Sequence, residues 1–302
     1  MLTTIKEINF IDENPMKTVI WALSKKCNYC CSYCCASKVN DRDNIEKILY
    51  LINKFNDDLQ IILYGGEPTI FPKFEYILNN IDKRHQIKIL TNGSRTIEWW
   101  DRIIKQYKNI KKISISIHFE FLSNIDEIIE KIYFLKDFCD IDIKILIKTD
   151  KEKKLSTEIK KKICFSDNIK IIEIPIRDPN NFNIFLINQK NLDEIDEDKT
   201  VNICLLDGKN YKITRTEFSK LKINFFLCLC TFTDEVCYIQ QDGNIFRCVD
   251  DMQKNKFFNI SAIESLEEIF KKTVCLNKTC TCNFAGSRFF KKNISCENIN
   301  VS

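Results

Sequence analysis

The chain alternates short, nearly continuous apolar runs with segments of helical period. Residues 17–23 (KTVIWAL), 59–64 (LQIILY), 87–93 (IKILTNG), 112–119 (KISISIHF), 141–148 (IDIKILIK) and 169–176 (IKIIEIPI) are rich in β-formers. Between them, apolar residues recur every three or four positions: near 42–55, near 72–81, in TIEWWDRIIKQY, in NIDEIIEKIYFLKDF and in the Lys-rich KEKKLSTEIKKKI. That spacing makes one face of a helix, whereas a brief β-branched run makes a buried strand. Strict alternation predicts βα units on a parallel sheet, and runs this apolar predict helices over both its faces. Six such units predict an α/β fold of the open or partial (β/α)6 TIM-like barrel kind. In such folds functional residues stand at the C-terminal ends of the strands.

The pattern changes after about residue 190. ICLLDGKNYKI carries Asp207-Gly208 and CYIQQDGNIFRC carries Asp242-Gly243, each between apolar flanks. Asp-Gly in that setting signals a hairpin. SAIESLEEIFKK predicts a helix over 261–272, with Ser261 and Glu264 spaced as a capping box. The expected division is a core domain over 1–190 and a smaller, cysteine-rich α+β domain over 191–302.

Composition narrows the class. Apolar residues are 44% and charged residues 29% of the 302, the balance of a folded chain rather than a disordered one. A net charge of +4 with no Lys/Arg block argues against a nucleic-acid partner. No signal-peptide pattern opens the chain and no apolar run approaches the length of a membrane span. A cytoplasmic protein without a membrane partner is therefore expected. In that compartment the 16 cysteines are not a disulfide framework. They are also uneven: five lie within 27–35 and nine between Cys204 and Cys296. Cys139 and Cys164, which fall between, read as buried thiols. Two thiol clusters in a reducing compartment suggest two metal sites.

The first cluster, CNYCCSYCC, contains C-x3-C-x2-C at Cys27, Cys31 and Cys34. The same letters hold two C-x2-C pairs, Cys27/Cys30 and Cys31/Cys34, which would suit a zinc knuckle. Position decides between them. The cysteines follow the first strand, YGGEP (64–68) the second, TNG (91–93) the third, and SIH (116–118) closes the fourth. With Tyr33 just before the last cysteine and Gly65-Gly66-Glu67 on the next strand, residues 15–180 resemble the radical S-adenosylmethionine (radical SAM) enzymes. The resemblance implies a [4Fe–4S] cluster on Cys27, Cys31 and Cys34, with one iron left open for S-adenosylmethionine (SAM). It implies reductive cleavage of SAM to a 5′-deoxyadenosyl radical, with the electron from an external flavodoxin- or ferredoxin-type donor. It places Tyr33, Gly65, Gly66 and Glu67 at the cofactor, the last three at its amino group, and Asn92 and Ser116 at the ribose. Cys30 and Cys35 have no role in the family.

In the second cluster, Cys230, Gly243 and Cys248 form C-x12-G-x4-C, which resembles the opening of the auxiliary-cluster domains named Twitch and SPASM. The resemblance implies one auxiliary [4Fe–4S] cluster on Cys230, Cys248, Cys280 and Cys282. Cys228, Cys237, Cys275 and Cys296 are rival ligands, and a structural zinc site is the alternative. His118, at a strand end, is a candidate proton acceptor for a substrate radical; a structural or ribose-contacting role competes with it. Glu120 and Arg177 are expected in surface salt bridges, and His85 is expected to be exposed. The substrate reading is hydrogen abstraction from a peptide or protein for oxidative modification. A small polar substrate such as a sugar or aminoglycoside is the alternative, and a zinc-containing binding module a further one. With 26 residues ahead of Cys27, a peptide substrate is expected to come with a separate recognition protein.

Overall fold

The computed structural model describes residues 3–10, 16–34, 44–163, 166–178, 181–186, 200–205, 210–214, 222–223, 229–230, 232–248, 251, 257–271, 273–274 and 290–297. After β1 (Thr3–Phe10), strands β2 (Lys17–Ser24), β3 (Leu59–Gly65), β4 (Gln86–Thr91), β5 (Ile110–Ile117), β6 (Asp140–Ile147) and β7 (Ile169–Pro175) pair in sequence order, all parallel. Helices α1 (Ile45–Lys54), α2 (Phe74–Asn80), α3 (Ile97–Gln106), α4 (Ile125–Leu135) and α5 (Asp150–Lys162) make the crossovers. This is a partial TIM-like α/β fold, as the alternation predicts. The helices start where short polar side chains cap them: Thr96 for α3, Asn124 for α4, and a Thr149/Glu152 capping box for α5.

The expectation of helices over both faces is corrected. β3 and β4 alternate strictly between buried and partly exposed positions, and the C-terminal half of β6 does the same. Ile87, Ile89, Ile113, Ile115, Ile143 and Ile145 join Ile48, Ile77, Trp100, Ile103 and Ile132 of the helices in one apolar core. The residues between them, Lys88, Ser114, Ser116, Asp142 and Lys144, point to the other face, because successive side chains of a strand alternate. Only one face of the sheet is an oily layer; the inner face of the barrel carries charge.

The sheets also exchange strands across residue 190. β8 (Arg177–Asp178) and β9 (Asn181–Phe185) form a small ribbon. β10 (Thr200–Leu205) and β11 (Asn210–Thr214) form the first expected hairpin. β1 pairs with β10 and with β18 (Phe290–Glu297), so the N-terminal strand lies in the second sheet. That sheet also takes in β12 (Lys222–Ile223), β13 (Leu229–Cys230) and β17 (Thr273–Val274). Conversely, β14 (Val236–Ile239) pairs in parallel with β2, and β15 (Asn244–Phe246) and β16 (Phe258–Asn259) extend the barrel sheet to nine strands. A division at 190/191 therefore cuts through both sheets. The second hairpin forms as expected: Gly243, at φ +81°, closes it and donates to Gln240 O at 2.9 Å.

The helix expected over 261–272 is instead two 3-10 turns, Ile260–Ala262 and Leu266–Glu268. Ile260, Ile263, Leu266 and Ile269 are buried at a spacing of three, which fits a 3-10 turn better than an α-helix. The capping box is Ser265/Glu268, not Ser261/Glu264. His85 is corrected as well: it is completely buried. Leu59 N–H donates to its Nδ1 at 3.1 Å and its Nε2 lies 3.1 Å from Ile52 O, so it joins the end of α1 to the start of β3.

Candidate radical site

The cysteine loop leaves β2 and lies against the turn that follows β3. Gly66 N–H donates to Ser24 O at 2.8 Å and Glu67 N–H to Lys26 O at 2.9 Å. A Cβ on Gly65 would stand 2.2 Å from Ser24 O, and one on Gly66 2.2 Å from Lys26 O. Gly65 also sits at φ +146°, open in practice only to glycine. The two glycines thus let the GGEP turn dock on the backbone that carries the cysteines. Their close approach is to the protein itself, whatever they also offer a cofactor.

Glu67 is buried, with its carboxylate turned inward. Oε1 accepts from Thr69 N (3.0 Å), Thr69 Oγ1 (2.6 Å) and Thr91 Oγ1 (2.8 Å), and Oε2 from Asn92 N (2.6 Å). The side chain therefore ties GGEP to TNG. Arg95 reinforces this tie, donating from Nε and Nη2 to Thr69 O at 3.1 and 2.6 Å. From beneath, the buried Lys131 donates to Gly93 O at 2.6 Å; burial pushes its ammonium below the ordinary lysine range. Asn92 turns its amide to the cysteine loop, with Nδ2 2.9 Å from Asn28 Oδ1 and 3.8 Å from Cys27 Sγ.

The other side of the loop is held by the β5–α4 connection. Glu120 accepts from Ser32 N at 2.8 Å, from Ser32 Oγ, and from Lys148 at the end of β6. Burial alone would raise its pKa, but hydrogen bonds from Lys148 and Ser32 outweigh it and hold the carboxyl at about 2. Glu120 is thus more than a surface salt bridge: it clamps the residue between Cys31 and Cys34. His118 Nδ1 lies 2.9 Å from Tyr33 Oη and 3.3 Å from Cys31 Sγ. Its ring stacks parallel to Tyr33 and meets Tyr29 edge-on, while Tyr29 stacks on Phe121 at 4.5 Å. Burial lowers the His118 pKa, with Glu120 opposing. His118 therefore belongs to the wall behind the cysteines. A cleft opens here, lined by Tyr29, Asn92, His118, Phe121, Glu127 and Lys131 among others.

The three loop cysteines fit a metal cluster in their chemistry. Cys27 and Cys34 are exposed and Cys31 partly so, with no disulfide among them. Burial raises the Cys27 pKa, a bond from Tyr29 N–H at 3.3 Å opposes it, and the Cys34 charge raises it further. Burial likewise raises Cys31, which feels both Cys27 and Cys34. Thiols in one another's field, already given N–H donors, are what a cationic iron centre would stabilise as thiolates. Among the described residues no three Cys, His, Asp or Glu side chains already converge on one point.

Residues 21–141 match the model of the Radical SAM superfamily. The chain carries a radical SAM domain. The matched segment contains Cys27, Cys31, Cys34, the GGEP turn, TNG and His118, and it marks the protein as an enzyme using SAM and an iron–sulfur cluster. No curated protein matches the sequence. Among solved structures the chain is similar to BtrN in an open conformation, at 13% identity and TM-score 0.44, covering 86% of this chain and 81% of that one. Streptococcus suis SuiB follows at 13% identity and TM-score 0.40, covering 86% of this chain and 66% of that one. SuiB bound to S-adenosylmethionine is 15% identical with TM-score 0.39, covering 84% and 63%. The chain thus spans a little under two thirds of SuiB.

Of the remaining expected residues, Ser116 is partly buried on the inner face of β5, beside Lys144 of β6. Cys248 is buried and its Sγ accepts from Asp251 N at 3.3 Å. Cys230 stands in β13 of the second sheet, whereas Cys248 follows β15 of the barrel sheet. Cys280, Cys282, Cys228 and Cys275 lie outside the described residues. Cys237 is a core residue of β14, fully buried, its thiol pushed far up by burial. Arg177 forms part of β8. Sequence reasoning did not find Lys131, Arg95, Ser32 or Lys148. Lys131 had one signal: it interrupts the apolar stripe Ile128–Ile132–Leu135 of α4.

Proposed function

We propose that this radical SAM domain holds a [4Fe–4S] cluster on Cys27, Cys31 and Cys34 and abstracts hydrogen from a peptide or protein substrate for oxidative modification. When bound, the cluster and SAM supply the 5′-deoxyadenosyl radical. The observation that supports the reading is the fixing of one loop from two sides. The GGEP backbone bonds to Ser24 and Lys26, and Glu120 bonds to Ser32. Bonds that hold the backbone beside a metal ligand orient that ligand and tune its affinity. Tyr29 N–H and the Asn92 amide lie against Cys27 Sγ and would temper a thiolate there. His118, Tyr29 and Phe121 form an aromatic wall that keeps water from one side of the loop.

An auxiliary [4Fe–4S] cluster involving Cys230, Cys248, Cys280 and Cys282 is part of this reading. With protein thiolates at every iron it would take the electron left by an oxidised substrate radical, to be passed to an external carrier. A small polar substrate is the second reading, favoured by the charged inner face of β4, β5 and β6. The deciding measurement is iron, zinc and sulfide content after anaerobic reconstitution, read beside 5′-deoxyadenosine formation with dithionite. Two four-iron clusters with SAM cleavage support the full reading. One four-iron cluster plus a zinc would make the C-terminal cysteines structural, and zinc without iron would end the radical reading.

A further inference from the structure

The inner face of the barrel sheet has a lysine the proposed radical chemistry does not use. Lys88 of β4 and Lys112 of β5 share Asp142 of β6, at 2.7 and 3.5 Å. Asp142 is drawn toward those two, and its carboxyl is held below its ordinary range by them against the effect of burial. Lys144 follows on the same face of β6, two positions nearer the cysteine-bearing end. Among the described residues neither a hydrogen bond nor an ion pair engages its ammonium. In register it stands beside Ser116 of β5, as Asp142 stands beside Ser114. Ser114 is fully buried, and its Oγ has no hydrogen-bond partner.

A buried hydroxyl without a hydrogen-bond partner and a half-buried ammonium outside any ion pair are each unfavourable in a folded protein. Here they are neighbours on one face. On the inner face of β4 to β7, Lys88, Lys112, Lys144 and Lys170 outnumber Asp140 and Asp142, which leaves an excess of positive charge. Burial and the Lys88 charge depress the Lys144 pKa, with Asp142 opposing, as for a cation awaiting an anion. Ser116 and Lys144 are both partly exposed, so the place is reachable, with Ser114 as its floor.

We propose that the inner face of β5 and β6 binds an anionic group of the substrate, a carboxylate or phosphoryl group, between the Lys144 ammonium and the hydroxyls of Ser114 and Ser116. The word substrate rests on the radical reading above; the anion site itself does not. An acidic or C-terminal residue of a peptide would satisfy it, as would an acidic small molecule. Neutral sugars would not.

The test uses the full-length, cluster-reconstituted protein with inorganic phosphate and acetate as separate probes. Binding is followed by the phosphorus-31 linewidth for phosphate and by thermal shift for both. SAM affinity is measured independently. Lys144→Met is expected to weaken the tighter anion about tenfold, and Lys144→Arg by much less. Asp142→Asn, which removes the competing carboxylate, is expected to tighten it; a purely structural lysine would predict no gain. The tighter of the two probes identifies the group. Equal anion binding by wild type and Lys144→Met would overturn the proposal. So would an equal loss of SAM affinity, which would assign the lysine to the cofactor's own carboxylate. If Lys144→Met fails to fold, Ser114→Ala should weaken the same anion, and an unchanged affinity there would also overturn it. Failure of the radical reading shows separately, as absence of 5′-deoxyadenosine from the wild type.

Discussion

Glu67 Oε2 accepts the backbone N–H of Asn92 at 2.6 Å, binding the turn after one strand to the turn after the next. The family motif residue is thus a structural tie between two neighbouring strand ends. Glu67→Ala would strand the donors of Thr69, Thr91 and Asn92 around a buried gap, at about 1–3 kcal/mol for an unsatisfied group. We expect a clear fall in thermal midpoint together with weaker SAM binding. Weaker SAM binding at wild-type stability would show that the carboxylate serves the cofactor alone.

Gly66→Ala tests the docking of that turn on the cysteine loop. Its Cβ would lie 2.2 Å from Lys26 O, a backbone atom that cannot rotate away. A cost of about 1–3 kcal/mol, or more, is expected from such overpacking. Denaturant titration of the unreconstituted protein measures it without involving the cluster.

The Glu120 clamp on Ser32 should control how firmly the loop keeps its metal. Glu120→Ala is expected to weaken metal retention by about 10–100-fold, as loss of a ligand-orienting partner does elsewhere. The rate of iron loss to a chelator reads this directly. Glu75→Ala is the control: it removes an exposed bidentate pair with Arg102, at 2.6 and 2.8 Å, far in sequence from the loop, and should leave the rate unchanged.

His85 gives a pH dependence with a definite sign. Its buried Nδ1 accepts from Leu59 N–H, so protonation there would set two donors against each other. Burial, with Arg84 adding to it, lowers the folded pKa. The unfolded chain therefore takes up a proton first, at about pH 6.5. The stability contributed by neutral His85 is present above that pH and is lost as pH falls toward the folded value. The thermal midpoint should drop between about pH 7 and 5. His85→Gln should be less stable at pH 7 but show a shallower slope, and an unchanged slope would remove His85 from the explanation.

Cys237 and Cys248 should part company on substitution. Cys237→Ser places a hydroxyl in an apolar core at a cost of about 1–3 kcal/mol and should leave the iron content unchanged. Cys248→Ala should lower iron by about four atoms, the content of one cluster, while SAM cleavage persists. Unchanged iron in Cys248→Ala would take it out of the ligand set.

The βα series, the positions of its six strands and the strand-end location of the cysteines, GGEP and TNG are legible in the order of residues alone. Each of these is a local property: period, β-branching, turn residues and the spacing of thiols along a loop. That order could not show that residues 3–10 leave for the second sheet while 236–259 enter the first, because strand partners are chosen by long-range pairing. Nor could it separate Glu67 the ligand from Glu67 the tie, since that depends on which donors the folded turns bring within 3 Å. His85 looked exposed beside Lys83 and Arg84, and its burial follows from the packing of α1 on β3. In the sequence Lys88, Lys112 and Lys144 are polar positions in three separate strands. Only the pairing of β4, β5 and β6 in this register sets them side by side on one face, around a shared aspartate.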